Sequence, residues 1–447
     1  MKFIERNINY IKLEIFGKII SDKLTKKVIK NSGIILIGNV AVSILNFISF
    51  TLVVKQLGPE IFAIMVLAQT YATILNDLFN VQTWEALIKF GFHKASGKDI
   101  SKIVKSNLLL DLVSACIAFL IAISILETVM HILKWDVANY YVFFLYCFTV
   151  LFNLTTCTIG IPRLYDKFLQ VAKVQIIAAT LKLVGVVYAM YYANTLISYV
   201  LVYCCADIFI NITLSLYSLK LMAQVCGSNW WKERFQIDFD QLKFIWWTNL
   251  RTVIRVPVIR MDMIIISMVM PVKMVGIYKV YKELAALILQ IGDPVNQAIY
   301  PEFSKLLGNR DIRQTANVAR KTMLLMAVIA LTFTGGMLLF GEFVVENFFG
   351  REYLSNINAL YVMILLYGVA FVSIPINSLF IAAGFAKYSF VILLVINAVY
   401  LATAYGGGLL FGIYGIILAF AVQVAMNKGL KIYYLHKYSS DWGQVSR

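Results

Sequence analysis

Residues 244–270 read FIWWTNLRTVIRVPVIRMDMIIISMVM, and residues 275–300 read VGIYKVYKELAALILQIGDPVNQAIY. Each stretch is long and apolar enough to cross a bilayer as a helix. Both nevertheless carry ionisable side chains within the apolar runs: Arg251, Arg255, Arg260, Asp262, Lys279, Lys282, Glu283 and Asp293. An ionisable group inside a membrane is costly unless it faces water or a partner. The two helices therefore predict a polar pathway through the membrane.

The direction of these side chains follows from a helical period of roughly 100° per residue. Arg251, Arg255 and Asp262 fall within about 40° of one another. Arg260 points to the other side of the helix, unless a kink at Pro257 rotates it. In the second helix one polar face contains Lys279, Lys282, Glu283, Gln290, Asp293 and Gln297. A polar face of this length on a membrane helix predicts a cavity in front of it.

The composition extends this interpretation to the whole chain. Of 447 residues 60% are hydrophobic and only 14% are charged, and the mean hydropathy is +0.78. A soluble domain would carry about 25% charged residues. Apolar stretches of about 20 residues recur along the chain. The sequence therefore predicts an all-α polytopic membrane protein with about twelve transmembrane helices.

The formal net charge of +16 is distributed unevenly around these spans. If the N-terminus is cytoplasmic, most Lys and Arg residues fall on the cytoplasmic side. The other side then holds only Lys55, Lys134, Lys273 and Arg351. This bias predicts that both termini are cytoplasmic. It also leaves no basic folded domain, which excludes nucleic acid as a partner.

The sequence predicts neither a metal site nor a cofactor nor a disulfide framework. The six cysteines lie in or beside apolar spans, where they behave as small hydrophobic residues. The predicted division has a basic amphipathic arm, two six-helix bundles, a linker between them and a tail: residues 1–30, 31–220, 221–243, 244–435 and 436–447. Because each half has an even number of spans, the halves are predicted to be parallel repeats. Gly406, Gly407 and Gly408 predict a flexible turn outside the membrane.

The first two spans also carry polar faces. The first places Asn39 and Asn46 on one side, together with Ser32 and Ser43, within about 60°. The second aligns Gln69, Thr73, Asn76 and Asn80, with Asp77 beside them and Trp84 and Glu85 near the end. Single polar residues in spans often only hydrogen-bond to neighbouring helices. Aligned polar faces on consecutive helices favour a shared cavity.

Several motifs of this chain resemble one known group of transporters. They are LGPEIFAIMVLA after the first span, RMDMIII in the seventh, VGIYKVYKEL at the start of the eighth and AIYPEFSKL at its end. With the layout of about twelve spans in two halves, they resemble the polysaccharide exporters of the multidrug/oligosaccharidyl-lipid/polysaccharide superfamily. Within these, the chain looks most like the O-antigen and capsule repeat-unit flippases of the Wzx type. The resemblance implies a V-shaped, MATE-like pair of bundles around a lumen lined by helices one, two, seven and eight.

The implied substrate is an oligosaccharide on an undecaprenyl pyrophosphate carrier in a bacterial plasma (inner) membrane. The implied partners are membrane lipids and the polymerase and glycosyltransferases of the same pathway. We expect the substrate to be bound by Arg251, Arg255, Arg260, Lys279, Lys282, Asn39, Asn46, Gln69, Asn76 and Asn80. Arginine binds phosphate oxygens in a bidentate fork, and amides suit sugar hydroxyls. Energy coupling is assigned to the carboxylates Asp77, Asp262, Glu283 and Asp293. The alternative is that Arg255–Asp262 and Lys279–Glu283 are structural ion pairs.

Two other functions compete with this one. A cation- or proton-coupled drug antiporter of the same superfamily would need a lumen dominated by carboxylates, whereas the candidate lumen has mixed charge. A membrane-embedded polysaccharide polymerase or ligase would need a sizeable external loop with catalytic side chains. The longest predicted external loops, ETVMHILKWDV and NFFGREYLSNI, are short. The sequence therefore predicts a transporter with no catalytic residues.

Overall fold

The computed structural model describes residues 23–91, 97–233, 235, 238–309 and 311–438. Side chains are described for these residues except at 23–37, 97–98, 293–294, 297–298 and 386. Most of the predicted arm (residues 1–30) and most of the predicted tail (residues 436–447) lie outside the described residues. None of the described residues lies in a β-strand, which agrees with the predicted all-α class.

The described residues form fourteen α-helices. In order they are α1 (Lys23–Phe79), α2 (Thr83–Gly91), α3 (Gly97–Ile132), α4 (Tyr140–Leu151), α5 (Ile161–Leu164), α6 (Phe168–Tyr192), α7 (Leu196–Cys226), α8 (Phe239–Val269), α9 (Lys273–Gly308), α10 (Ile312–Phe348), α11 (Ile357–Val372), α12 (Ile374–Ala382), α13 (Ala386–Phe411) and α14 (Ile413–Lys437). Below, the terminal end of the bundle is the end where α1 begins and α14 finishes. The other end is called the opposite end.

The first helix contains two spans rather than one. At Gly58 the backbone has φ 67° and ψ 171°, and Pro59 follows, so the helix is interrupted there. The rings of Phe50 and Phe62 are nonetheless 5.6 Å apart. Twelve residues of straight helix would separate them by about 18 Å. The segments before and after Gly58 therefore lie side by side, as the predicted first and second spans require.

Eight helices in the described part of the chain are long and apolar enough to span a membrane, or nine if one bent pair is included. One of the eight is the folded α1, which crosses twice. The bent pair joins α4 to the π-helix Thr156–Gly160 and α5 at an angle of 56°. The helices α8 and α9 carry more charged residues than these, yet they have the length of spans and pack within the bundle. The chain is thus a multi-pass membrane protein that accommodates the predicted spans.

The opposite end of the bundle is closed by contacts between the first and second halves of the chain. A Cβ atom added at Gly276, near the start of α9, would lie 2.2 Å from the Pro59 carbonyl oxygen. The Tyr281 hydroxyl donates to the Tyr353 carbonyl at 2.5 Å, and the Tyr353 hydroxyl donates to the Val54 carbonyl at 3.4 Å. These side chains belong to a large buried apolar cluster shared by both halves. Only a glycine permits so close an approach of α9 to the α1 kink.

The fourth span is interrupted, and a buried carboxylate occupies the interruption. Asp111 in α3 is fully buried. One of its oxygens accepts from the Thr156 backbone N–H at 2.6 Å, and the other accepts from the Thr83 hydroxyl at 2.5 Å. Thr156 is the first residue of the π-helix that continues the span. An anion is stabilised at a helix N-terminus by the unpaired N–H groups and the helix dipole.

The tenth span is interrupted as well, with charges of the opposite sign. It divides at Ser373 into α11 and α12. Lys428 in α14 donates to the Ser373 carbonyl at 3.3 Å, and the buried Lys431 donates to Asn377 Oδ1 at 2.9 Å. A cation is favoured at the C-terminal end of a helix, where carbonyl groups lack partners. In both interrupted spans, a charged side chain from another helix thus contacts the break.

The prediction of a turn at Gly406–Gly408 was wrong. These glycines lie inside α13, and the turn between α13 and α14 is at Gly412, where φ is +57°. A Cβ atom at Gly415 would lie 1.9 Å from the Gly407 carbonyl oxygen. The glycines thus allow two packed helices to approach closely, as small residues do in membranes. Between α7 and α8 the connection runs from 227 to 238, and the division into domains there stays a prediction.

Candidate functional site

A polar cavity of about 290 Å³ lies inside the bundle. It is formed by both segments of α1 together with α6, α7 and α9. Its lining residues are Ser43, Asn46, Phe47, Phe50, Phe62, Met65, Val66, Gln69, Lys182, Tyr203, Lys279, Glu283, Leu287 and Gln290. Three phenylalanines among them lie towards the closed opposite end, where Phe47 and Phe50 pack against Phe349 and Phe50 packs against Phe62. We call this space the central cavity.

The charge in the central cavity is positive. Lys279 donates to Glu283 Oε1 at 2.6 Å one turn further along α9. Lys182 from α6 adds a second ammonium group, which lies 4.9 Å from the centre of the Tyr203 ring. The buried Asn46 Oδ1 atom has no hydrogen-bond partner among the described residues. Two lysines against one carboxylate suit an anionic group, and the free Asn46 oxygen can accept a hydrogen bond from a ligand hydroxyl.

Behind the central cavity, α8 and α9 are joined by a buried ion pair. Lys282 Nζ lies 2.5 Å from Asp262 Oδ2 and also donates to the Ile259 carbonyl at 3.1 Å. Asp262 is 2% exposed, and its other oxygen accepts from the Met263 N–H at 3.0 Å. This pair is therefore a structural element of the site. The predicted alternative pair Arg255–Asp262 is not formed.

Two arginines of α8 form ion pairs with the first half of the chain. Arg251 Nη2 donates to both carboxylate oxygens of Glu85, at 2.6 and 2.7 Å. Arg260 Nε lies 3.5 Å from Asp77 Oδ2, which shows that Arg260 faces the second span despite its predicted phase. The helix contains Pro257 between these residues, consistent with the rotation that a proline kink produces. The two pairs tie α8 to α2 and to the second segment of α1.

Arg255 differs from its two neighbours. It is exposed and has no ion pair or hydrogen bond within the part of the chain that the structure describes. It lies one helical turn from Arg251, near the middle of α8. Arg255 is therefore the arginine of α8 whose guanidinium is available to a ligand without displacing a carboxylate.

The predicted amides are divided among different surroundings. Asn46, Gln69 and Gln290 line the central cavity. Asn80 is buried and donates to Asn76 Oδ1 and to the Asn153 carbonyl. Asn39 is exposed and does not line the central cavity. The side chain of Asp293 lies outside the described residues, so its coupling role stays a prediction.

No α8 side chain lines the central cavity. The expectation that helix seven lines a wider lumen stays a prediction. Lys182 and Tyr203 line the central cavity instead, and the sequence did not predict either of them as a site residue. A lysine in the fifth span was the available signal, but its helix has no polar face that predicts a direction. Glu85 was likewise visible only as a charge at the end of the second span.

Three comparisons place the chain among known proteins. A family model described as "Polysaccharide biosynthesis protein" matches residues 28–307, well over half of the chain. The Escherichia coli (strain K12) protein "Inner membrane protein YghQ" is 26% identical over 175 residues, which are 38% of this chain. The match spans only about half the length of that relative (49%).

Solved structures confirm the predicted fold. An inward-facing multidrug resistance MATE family transporter of the MOP superfamily has a TM-score of 0.73 at 14% identity, covering 91% of this chain and 96% of that chain. The MATE transporter DinF-BH, in complex with R6G, has a TM-score of 0.65 at 15% identity, covering 94% and 97%. The lipid II flippase MurJ has a TM-score of 0.60 at 12% identity, covering 91% and 90%. At these identities the similarity establishes the architecture, which is the MATE-like one predicted from the motifs.

Proposed function

Because the chain belongs to the polysaccharide biosynthesis protein family, we propose that it is a flippase for a lipid-linked oligosaccharide. Its substrate would be a repeat unit on undecaprenyl pyrophosphate, which it moves from the cytoplasmic to the outer leaflet of a bacterial plasma membrane. The product would supply O-antigen, capsule or exopolysaccharide assembly. The proteins with a similar fold are transporters and flippases rather than enzymes.

The orientation in this proposal rests on the distribution of basic residues. Lys and Arg are concentrated at the terminal end of the bundle, so that end is assigned to the cytoplasm. The contacts of Gly276, Tyr281 and Tyr353 close the opposite, external end. A ligand would thus enter from the terminal end, pass the arginines of α8 and reach the central cavity.

The observation that carries the proposal is the charge and polarity of the central cavity. A pyrophosphate group is strongly anionic and is expelled from hydrocarbon. Lys182 and Lys279 offer it two ammonium groups, and Asn46, Gln69 and Gln290 offer hydrogen bonds to sugar hydroxyls. The polyprenyl chain needs no polar surroundings and remains in the lipid. Only the head group then has to cross through the protein, by alternating access of the two halves.

The ion pairs of α8 suggest how binding changes the conformation. Arg251–Glu85 and Arg260–Asp77 connect the two halves of the chain. A pyrophosphate first meets the unpaired Arg255 and then competes with Glu85 for Arg251, because phosphate oxygens accept the same bidentate fork. Loss of the pairs to the carboxylates releases α8 from α1 and α2. In this mechanism the substrate itself favours the change to the outward-open form.

The rival functions fit the geometry less well. Asp77, Glu85, Asp262 and Glu283 are each paired with a cation, so these carboxylates do not provide the free acidic lumen of a cation antiporter. At the opposite end the described connections are short, the longest being the segment 349–356. It offers little room for a polymerase site.

Proteoliposomes with a fluorescent undecaprenyl-pyrophosphate disaccharide test the proposal. Transfer between leaflets is followed by quenching of the label in the outer leaflet. We expect the Lys182→Met/Lys279→Met double variant to slow transfer at least about tenfold, which corresponds to about 1.4 kcal/mol. Lys220→Met is the matched control, because Lys220 is exposed near the end of α7, outside the central cavity. Transfer no faster than in protein-free liposomes, or a double variant as fast as Lys220→Met, would refute the proposal.

A further inference from the structure

Arg163, at the terminal end of the first half, is a cation that neither the predicted site nor the central cavity uses. It lies in the short helix α5, which ends the interrupted fourth span. Its side chain is exposed and makes no hydrogen bond and no ion pair with any described residue. The guanidinium instead lies 4.6 Å from the centre of the Trp84 ring. An aromatic ring attracts a cation, but it leaves the N–H donors of the arginine available to an acceptor.

The packing of α2 against the fourth span fixes the position of Arg163. A Cβ atom added at Gly160, one turn before Arg163, would lie 3.4 Å from the Trp84 Cα atom, so the π-helix and α2 are in direct contact there. The hydroxyl groups of Thr83 and Thr156 are 2.6 Å apart and join the same two elements. Both elements also contribute to one buried apolar cluster of the first half. Arg163 and the side chains of α2 therefore move together when the two halves move apart.

Glu85, the residue after Trp84, interacts unequally with two arginines from different halves of the chain. Arg251 of α8 donates to both of its carboxylate oxygens. Arg163 is attracted to Glu85 electrostatically, although the two side chains form no ion pair within 4 Å. A third cation, Lys89, lies one turn after Glu85 on α2, but its ammonium group is 4.1 Å from the centre of the Phe244 ring of α8. Arg163 is thus the neighbouring cation of Glu85 that does not contact the second half.

Separation of α8 from α2 removes the partner of Glu85. The Glu85 side chain is only 25% exposed, and a carboxylate that loses its cation in such surroundings is costly. This cost opposes every conformational change that breaks the pair with Arg251. A second cation that stays with Glu85 offsets the cost, and Arg163 has the charge and the position to do so.

We propose that Arg163 is a positioning residue that takes over Glu85 when a pyrophosphate group binds Arg251, an inference that rests on the proposed flippase function. The phosphate oxygens occupy the guanidinium fork of Arg251, Glu85 turns to Arg163, and Arg163 leaves the Trp84 ring. An ion pair within the first half replaces one between the halves, so no charge is left uncompensated. This hand-over lets the binding of phosphate shift the conformation, because the pair that holds α8 is exchanged rather than lost.

The test is a double-mutant cycle on the binding of inorganic pyrophosphate to the purified full-length protein in nanodiscs of zwitterionic lipid, measured by calorimetry. Arg163→Gln should weaken binding at least about tenfold, because Glu85 then has no second partner and stays on Arg251. In the Glu85→Gln background Arg251 is already free, so Arg163→Gln should weaken binding by no more than about threefold. Arg163→Lys keeps a cation for Glu85 and should bind within about threefold of the wild type.

Two variants are the matched controls for the loss of one positive charge. Lys173→Gln removes an exposed charge near the start of α6, at the same end of the bundle, and Lys89→Gln removes an exposed charge one turn from Glu85. Each should weaken binding by no more than about threefold, with or without Glu85. The elution volume and thermal unfolding of every variant check that it is folded.

Different results overturn the hand-over for different reasons. An equal loss of affinity for Arg163→Gln with and without Glu85 would make Arg163 a direct ligand of the phosphate. Unchanged binding in Arg163→Gln, or a loss of the same size in Lys89→Gln or Lys173→Gln, would show that Glu85 does not need this arginine. Absence of saturable binding to the wild type would show that pyrophosphate does not displace Glu85. A protein that gives any of these results and still transfers the labelled lipid loses the hand-over and keeps the flippase function.

Discussion

Two lysines of α9, one turn apart, each form an ion pair: Lys282 with Asp262 of α8, and Lys279 with Glu283 of α9. We expect these two pairs to differ greatly in their contribution to stability. In the pair Lys282–Asp262 the side chains are 21% and 2% exposed, whereas in Lys279–Glu283 they are 24% and 43% exposed. Removal of one partner from a buried pair costs about 3–5 kcal/mol, because the other charge is left without compensation. A solvent-accessible pair contributes only about 0–1 kcal/mol.

We therefore expect Asp262→Asn to lower the free energy of unfolding by about 3 kcal/mol, the lower end of that range because Lys282 is partly exposed. Glu283→Gln should lower it by no more than about 1 kcal/mol. The double variant Asp262→Asn/Lys282→Met should recover most of the loss, because it removes the stranded ammonium group. The assay is thermal unfolding of the purified variants in nanodiscs, followed by tryptophan fluorescence.

The shifts in Tm of the Asp262→Asn and Glu283→Gln variants test whether burial sets the contribution of each pair. The shift in Tm for Asp262→Asn should be roughly threefold or more the shift for Glu283→Gln. Equal shifts would show that burial does not control the energetics of these pairs. A double variant as unstable as Asp262→Asn alone would show that the loss does not arise from the uncompensated Lys282.

Further predictions concern single positions. Arg255→Ala should leave the Tm unchanged, because Arg255 has no described partner, and should slow transfer of the labelled lipid at least about tenfold. Arg255→Lys should restore only part of the rate. Full activity of the alanine variant would exclude the role of Arg255 in head-group binding. Gly276→Ala should lower the free energy of unfolding by about 1–3 kcal/mol, since its Cβ would meet the Pro59 carbonyl. Gly335→Ala is the control and should be neutral or stabilising, because a Cβ atom there has no neighbour within 4 Å. Equal Tm values for the two variants would contradict the steric argument. Asp111→Asn should lower the free energy of unfolding by about 1.5–3 kcal/mol, because it weakens the hydrogen bond to the Thr156 N–H. Thermal unfolding measures the change, and an unchanged Tm would show that the carboxylate charge is not needed there.

Much of the fold follows from the sequence because hydrophobic length and helical phase are local properties. The spans and the polar faces of α1 and α9 follow from residues within a single helix. Asn46, Gln69, Lys279 and Glu283 were predicted to face a common cavity, and they do.

The partners of charged residues could not be predicted in the same way. Phase places Asp262 near Arg255 on one helix, but the tertiary packing of α8 against α9 brings Lys282 closer. Arg251 forms an ion pair with Glu85 because α2 lies beside α8. The packing of one helix beside another cannot be predicted from the helical periodicity of the sequence. The Gly406–Gly408 run was misread for a related reason. Glycine favours turns in water, whereas in a membrane helix it also serves close packing.

The buried Asp111 has a consequence for how the chain enters the membrane during synthesis. Of its two partners, the Thr83 hydroxyl precedes α3, but the Thr156 N–H lies on a later span. Until that span is made, one oxygen of the carboxylate lacks its backbone donor, which is costly within a membrane. The third and fourth spans should therefore leave the translocon together, as a hairpin. Lys428 and Lys431 of α14 have partners as soon as they are made, because α11 and α12 precede α14 in the chain. Biogenesis of the first half is thus expected to be the more sensitive to premature termination, and nascent chains that end directly after α3 should be recognised and degraded.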